Sequence, residues 1–128
     1  MKTKWFMAAS AVVMGAAGLA GTFMPQELLR ALHLPVSDVL TLMIQLHAAL
    51  LLAFAMLNWM AKESLIGGIY NRPLAIGNLV HFVVGAITLV KFISGGAGPL
   101  FVIATVIYAA FAAGFGILVF GVRMPQKP

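Results

Sequence analysis

The sequence predicts an all-α integral membrane protein, a four-helix bundle with a short interfacial amphipathic helix after the first transmembrane helix. Three observations carry this. The 128 residues are 62% hydrophobic and only 9% charged, far above the near-half apolar content of soluble domains. The apolar residues fall into four continuous runs, each close to the roughly 20 residues that one bilayer crossing requires. Proline, glycine and charged residues collect between those runs. The runs lack the alternating period of a membrane β-barrel and are rich in Ala and Leu, so helices are favoured over strands. Four crossings with short connections fill residues 1–128 as one transmembrane domain.

The helices are expected at about residues 5–23, 39–60, 73–94 and 100–122. Lys2 and Lys4 precede the first run, which carries Gly15, Gly18 and Gly21 at intervals of three and so presents one small-residue face. A basic start, an apolar centre and the small residues around Gly18 to Ala20 also fit a cleavable signal peptide. The length of the run favours a retained first helix.

Met24 to Asp38 forms the first connection, bounded by Pro25 and Pro35. Within it Leu28, Leu29, Leu32 and Leu34 interleave with Glu27, Arg30 and His33, the pattern of a short amphipathic helix at a membrane surface. His33 reads there as an interfacial residue without chemistry.

The second run holds Thr41, Gln45, His47 and Asn58. His47 and Asn58 are eleven residues apart, which at ~100° per residue returns to nearly the same face. Trp59 lies at the end of that run, where an indole commonly sits among headgroups. The next connection contains Lys62, Glu63 and Arg72 with Gly67-Gly68 as its turn, and Pro73 occupies the first turn of the third helix. Asn78, His81, Gly85 and Thr88 then line one face of that helix. Gly95, Gly96, Gly98 and Pro99 break the chain before the last run, whose Ala109, Ala110, Ala112, Ala113, Gly114 and Gly116 offer a second small-residue surface.

Charge sets the expected orientation. With the N-terminus in the cytoplasm, Lys2, Lys4, Lys62, Arg72, Arg123 and Lys127 lie inside and only Arg30 and Lys91 outside. Both termini are therefore expected on the cytoplasmic side. The net charge of +5 is scattered between apolar runs, so it reads as topology and not as a nucleic-acid surface. The absence of cysteine excludes thiol and disulfide chemistry.

Polar groups in hydrocarbon are costly, which singles out His47, Asn58, Asn78 and His81, with Gln45 and Thr88 beside them. An antiparallel hairpin closing on residues 61–72 brings Asn58 level with Ala75, His81 with Leu52 and His47 with Ala86. The histidines are then offset by five residues, about 7 Å in depth. Two readings of these groups stand side by side. They satisfy one another in a hydrogen-bonded ladder that fixes packing, or an imidazole passes a proton or bonds a quinone-like carbonyl. Haem between the two histidines is a further candidate, opposed by the depth offset. Two histidines without a nearby Cys or acid fall short of a zinc site. Glu27, Asp38 and Glu63 all lie in connections or at helix ends, which disfavours a proton-coupled drug exporter.

The segments Met24-Pro25-Gln26-Glu27-Leu28-Leu29, Leu32-His33-Leu34 and Ile66-Gly67-Gly68-Ile69-Tyr70-Asn71-Arg72-Pro73, the last leading to Asn78 and His81, give a layout that resembles the small DoxX-like membrane proteins of bacteria. That resemblance implies four helices with polar residues in the middle pair. It also implies, for some relatives, quinone-linked sulfur oxidation, and it carries over no catalytic residue. The expected function is an accessory or interaction subunit without autonomous catalysis. A quinone- or haem-associated redox component and an oligomeric small-molecule or ion pathway are the alternatives. The expected partners are the lipid bilayer and either a second protein or another copy, met through the small-residue faces of the first and fourth crossings.

Overall fold

The computed structural model describes residues 2–64 and 71–121. The expected Gly67-Gly68 turn, most of the Ile66–Pro73 segment and the tail with Arg123 and Lys127 lie outside the described residues. Five helices follow one another: α1 (Lys2–Phe23), α2 (Pro25–Ala31), α3 (Asp38–Ala61), α4 (Arg72–Ile93) and α5 (Pro99–Gly121). All but α2 are long and apolar enough to cross a membrane. The boundaries fall within a few residues of those expected, because continuous apolar runs and their proline or glycine stops dictate them.

Local chemistry starts and stops these elements. Pro25 and Pro99 stand first in α2 and α5, and Pro73 stands second in α4, positions whose N–H has no helical acceptor. The Ser37 side chain caps α3 by accepting from the Leu40 N–H at 3.2 Å. At the end of α2, Leu34 N–H donates to the Leu29 carbonyl and His33 N–H to that of Arg30. These are the two bonds of a Schellman ending, whose penultimate position requires a left-handed residue. His33 takes that position at φ 57°. Its structural role is therefore conformational. Gly96 serves the same need between α4 and α5, at φ 90°.

The four long helices form an up-and-down ring in which each neighbour is antiparallel. The closest backbone approaches join α1 to α3 and α4 to α5. On α1 the expected glycine face is turned to α3: a Cβ at Gly18 would lie 2.8 Å from Leu52 Cγ and 3.1 Å from the Ala48 carbonyl oxygen, and one at Gly21 would lie 2.8 Å from Ala48 Cβ. Gly85 of α4 admits the Tyr108 ring of α5, and Gly114 of α5 admits the Phe6 ring of α1. Glycine thus sets how near each pair of axes comes. These glycines serve packing within the chain, whereas Ala109, Ala110 and Ala113 of α5 remain exposed.

Phe82 and Phe115 are fully buried at the centre, their rings 5.7 Å apart and tilted by only 11°. Phe6, Phe111 and Tyr108 pack around them. At the end of the bundle where α3 leads towards α4, Lys4 Nζ meets Glu63 Oε1 at 2.6 Å, and Lys62 Nζ sits 3.1 Å above the Trp59 ring. Trp59 thereby joins an indole and a cation at one helix end, the combination suited to a headgroup layer.

Candidate functional site

Ser10 of α1, Asn58 of α3 and Asn78 of α4 are fully buried. The two asparagine carboxamides exchange hydrogen bonds, Asn58 Nδ2 donating to Asn78 Oδ1 at 2.8 Å and Asn78 Nδ2 to Asn58 Oδ1 at 2.7 Å. Asn58 Nδ2 also points its second hydrogen between Ser10 Oγ at 3.1 Å and Met14 Sδ at 3.6 Å. Asn78 Nδ2 spends its second hydrogen on the Leu74 carbonyl, and the Ser10 hydroxyl donates to the carbonyl of Met7. The network is closed. Among the described residues no buried side-chain nitrogen or oxygen lacks a partner.

Asn58 therefore pairs three residues further along α4 than the position level with Ala75, and Phe54, rather than Leu52, stands against His81. The cause is the lean of side chains towards their own helix N-terminus. In an antiparallel pair those leans converge, so residues staggered by two or three positions touch. The His47 ring faces that of His81 with centroids 6.1 Å apart and the planes 25° apart.

The histidines do not join the asparagine network. His81 Nε2 meets the Tyr108 hydroxyl at 3.1 Å, and its ring packs against Phe54 at 5.5 Å and Phe82 at 5.0 Å. His47 is exposed on α3 and makes no hydrogen bond among the described residues. The ladder expected through all four polar groups thus divides into a closed asparagine pair and an open histidine pair. Gln45 is exposed, and Thr88 turns back to bond the Val84 carbonyl at 2.8 Å. Ser10, Met14 and Tyr108 are the partners that sequence reasoning missed.

The depth of the pair follows from helix geometry. His47 and His81 each lie nine residues into spans of 24 and 22 residues, or about 13–14 Å from the helix start at 1.5 Å per residue. Both therefore sit near the middle of a ~30 Å hydrocarbon layer. A haem axial ligand needs a free imidazole nitrogen aimed at the iron, but His81 has Nε2 turned to Tyr108 and Phe54 against its ring. Haem between the histidines does not fit this arrangement. Among the described residues no three His, Asp or Glu side chains gather around a common point.

Fold and site together define a multi-pass membrane four-helix bundle with a closed amide core and an open histidine pair at mid-depth. No protein-family model, curated protein or solved structure matches the chain, so every assignment rests on its own residues.

Proposed function

We propose that the chain is a bacterial inner-membrane protein that serves as an accessory or interaction subunit and not as an autonomous catalyst. One observation carries this reading: among the described residues every buried polar side chain has its partner within the chain, Ser10, Asn58 and Asn78 in one network and Thr105 on a backbone carbonyl, while His47 opens sideways on a membrane-spanning helix with no hydrogen bond. Such an arrangement favours engagement of a second molecule within the bilayer over a self-contained reaction chamber. Both termini face the cytoplasm in this reading, by the excess of Lys and Arg on that side. The proposal keeps the first helix as a membrane span of the working protein, a reading supported by the acceptors that Ser10 and Met14 offer to Asn58. Kinship with the small DoxX-like proteins is part of the proposal, supported by the proline-led helix Pro25–Ala31 after the first crossing.

Gentle solubilisation of native membranes tests the role. The chain is expected to migrate in an assembly with a defined protein, whose activity falls when the chain is removed. Substrate turnover by the purified chain alone in liposomes overturns the proposal. Orientation is open to single-cysteine labelling, since the chain has no cysteine of its own: Ser64→Cys is expected to react only from the cytoplasmic side and Ser37→Cys only from the other.

A further inference from the structure

We propose that His47, backed by His81 and Tyr108, forms an intramembrane binding site for a neutral lipid-soluble molecule bearing a hydroxyl group. A neutral imidazole carries one N–H donor and one nitrogen acceptor. In hydrocarbon, with no water to serve them, both need partners. His47 has neither from the protein among the described residues, although it lies near mid-membrane and is exposed. His81 does not supply them: its Nε2 meets the Tyr108 hydroxyl, and the two imidazoles stand nearly parallel with centroids 6.1 Å apart, a stacked contact that offers His47 no in-plane donor or acceptor.

Depth and chemistry together select the ligand. Phospholipid phosphates and esters lie at the edges of a ~30 Å hydrocarbon layer, so they fall short of a side chain near its middle. A carboxylate or other ion at that depth would carry the cost of a charge in hydrocarbon. What remains is a neutral molecule whose polar head enters the apolar layer. A hydroxyl both donates and accepts, so it satisfies whichever nitrogen His47 presents. A carbonyl or ether oxygen satisfies only the N–H. Met43 and Leu50 on α3 and Val84 on α4 are exposed within a turn of the histidines, apolar surface against which the ligand's hydrocarbon chain can lie.

The test uses the full chain in phosphatidylcholine nanodiscs and a photoreactive isoprenoid alcohol, with the labelled residues mapped by mass spectrometry. Labelling is expected on α3 and α4 around His47, displaced about tenfold better by farnesol than by farnesyl methyl ether, the effect of about one hydrogen bond. His47→Phe is expected to remove that preference and His47→Gln, which keeps a donor and an acceptor, to retain most of it. Exposure and the lack of a bond at His47 make both variants compatible with folding. Equal displacement by alcohol and ether overturns the proposal, as does labelling of His47→Phe that matches the unsubstituted chain. Protection of His47 by a protein subunit in native membranes, with no alcohol preference in nanodiscs, overturns it as well and assigns the site to a partner helix. The accessory role is measured in a native assembly, so this site can fail while that reading stands.

Discussion

Asn58 and Asn78 face each other across the α3–α4 seam with two hydrogen bonds of 2.8 and 2.7 Å between their carboxamides. Because both are wholly buried, replacing one strands the other. Asn78→Leu removes both inter-helix bonds and leaves Asn58 Oδ1 without its donor, an expected loss of about 1–3 kcal/mol. The double variant Asn58→Leu, Asn78→Leu is expected to lose less than the sum of the singles, since neither partner is stranded. A double-mutant cycle in reversible detergent unfolding checks this, and strict additivity would sink the claim that the amides act as a pair.

Gly18 makes the second prediction. A Cβ there meets the Ala48 carbonyl oxygen at 3.1 Å as well as Leu52, and backbone cannot swing aside as a flexible side chain can. Gly18→Ala is expected to push α1 from α3 and cost about 1–3 kcal/mol. Ala at Gly98, where a Cβ meets nothing within 4 Å, should not show that steric loss. Thermal denaturation of the two variants side by side separates close packing from a general effect of removing glycine.

At the end of α2 the left-handed His33, φ 57°, predicts an inverted substitution pattern. Glycine takes this conformation freely, and a side chain pays roughly 1–2 kcal/mol for it. His33→Gly is expected to stabilise the protein modestly and His33→Val to destabilise it by about 1 kcal/mol or more. If both variants weaken the fold equally under denaturant, His33 acts through its imidazole and not through its backbone.

The ion pair at the other end is pH-sensitive. The hydrogen bond from Lys4 holds the Glu63 carboxyl below the ordinary glutamate value, with the charges of Lys4 and Lys62 adding to the effect. A carboxylate with a lowered folded value stabilises the protein above its unfolded value, about 4.3, and that contribution disappears as the pH falls through the folded one. The stability difference between the unsubstituted chain and Glu63→Gln should therefore be present at neutral pH, begin to decline as the pH falls below the unfolded value and vanish once it has passed through the lower folded one. Both groups are substantially exposed, so the difference is expected to be small and to shrink in high salt. A difference that persists at low pH excludes ionisation as its origin.

Much of this was legible in the residues. Four long apolar runs and their Pro and Gly stops locate the helices, and isolated Asn and His in apolar sequence locate the polar seam. Ser10 escaped because it stands in an Ala-rich run and reads as a small filler, and Tyr108 because one aromatic among many on α5 has no periodic signature. Helical periodicity tells which residues share a face. It does not tell which other helix that face meets, and the partners of Asn58 and His81 come from α1 and α5, whose placement depends on how Gly18, Gly85 and Gly114 let the helices close. The single staggered ladder expected through His47, Asn58, Asn78 and His81 divides for a related reason. Converging side-chain leans draw Asn58 and Asn78 into hydrogen-bond contact, while His47 and His81 meet only as stacked rings.

An amide network holds the bundle from within, and a histidine of the same membrane-spanning helix is offered outward. The direct test is the unfolding free energy of Asn78→Leu and His47→Phe, measured against the unsubstituted chain in the same detergent. The expected result is a loss of about 1–3 kcal/mol for Asn78→Leu and a change within about 0.5 kcal/mol for His47→Phe. A larger loss at His47 than at Asn78 would contradict the division.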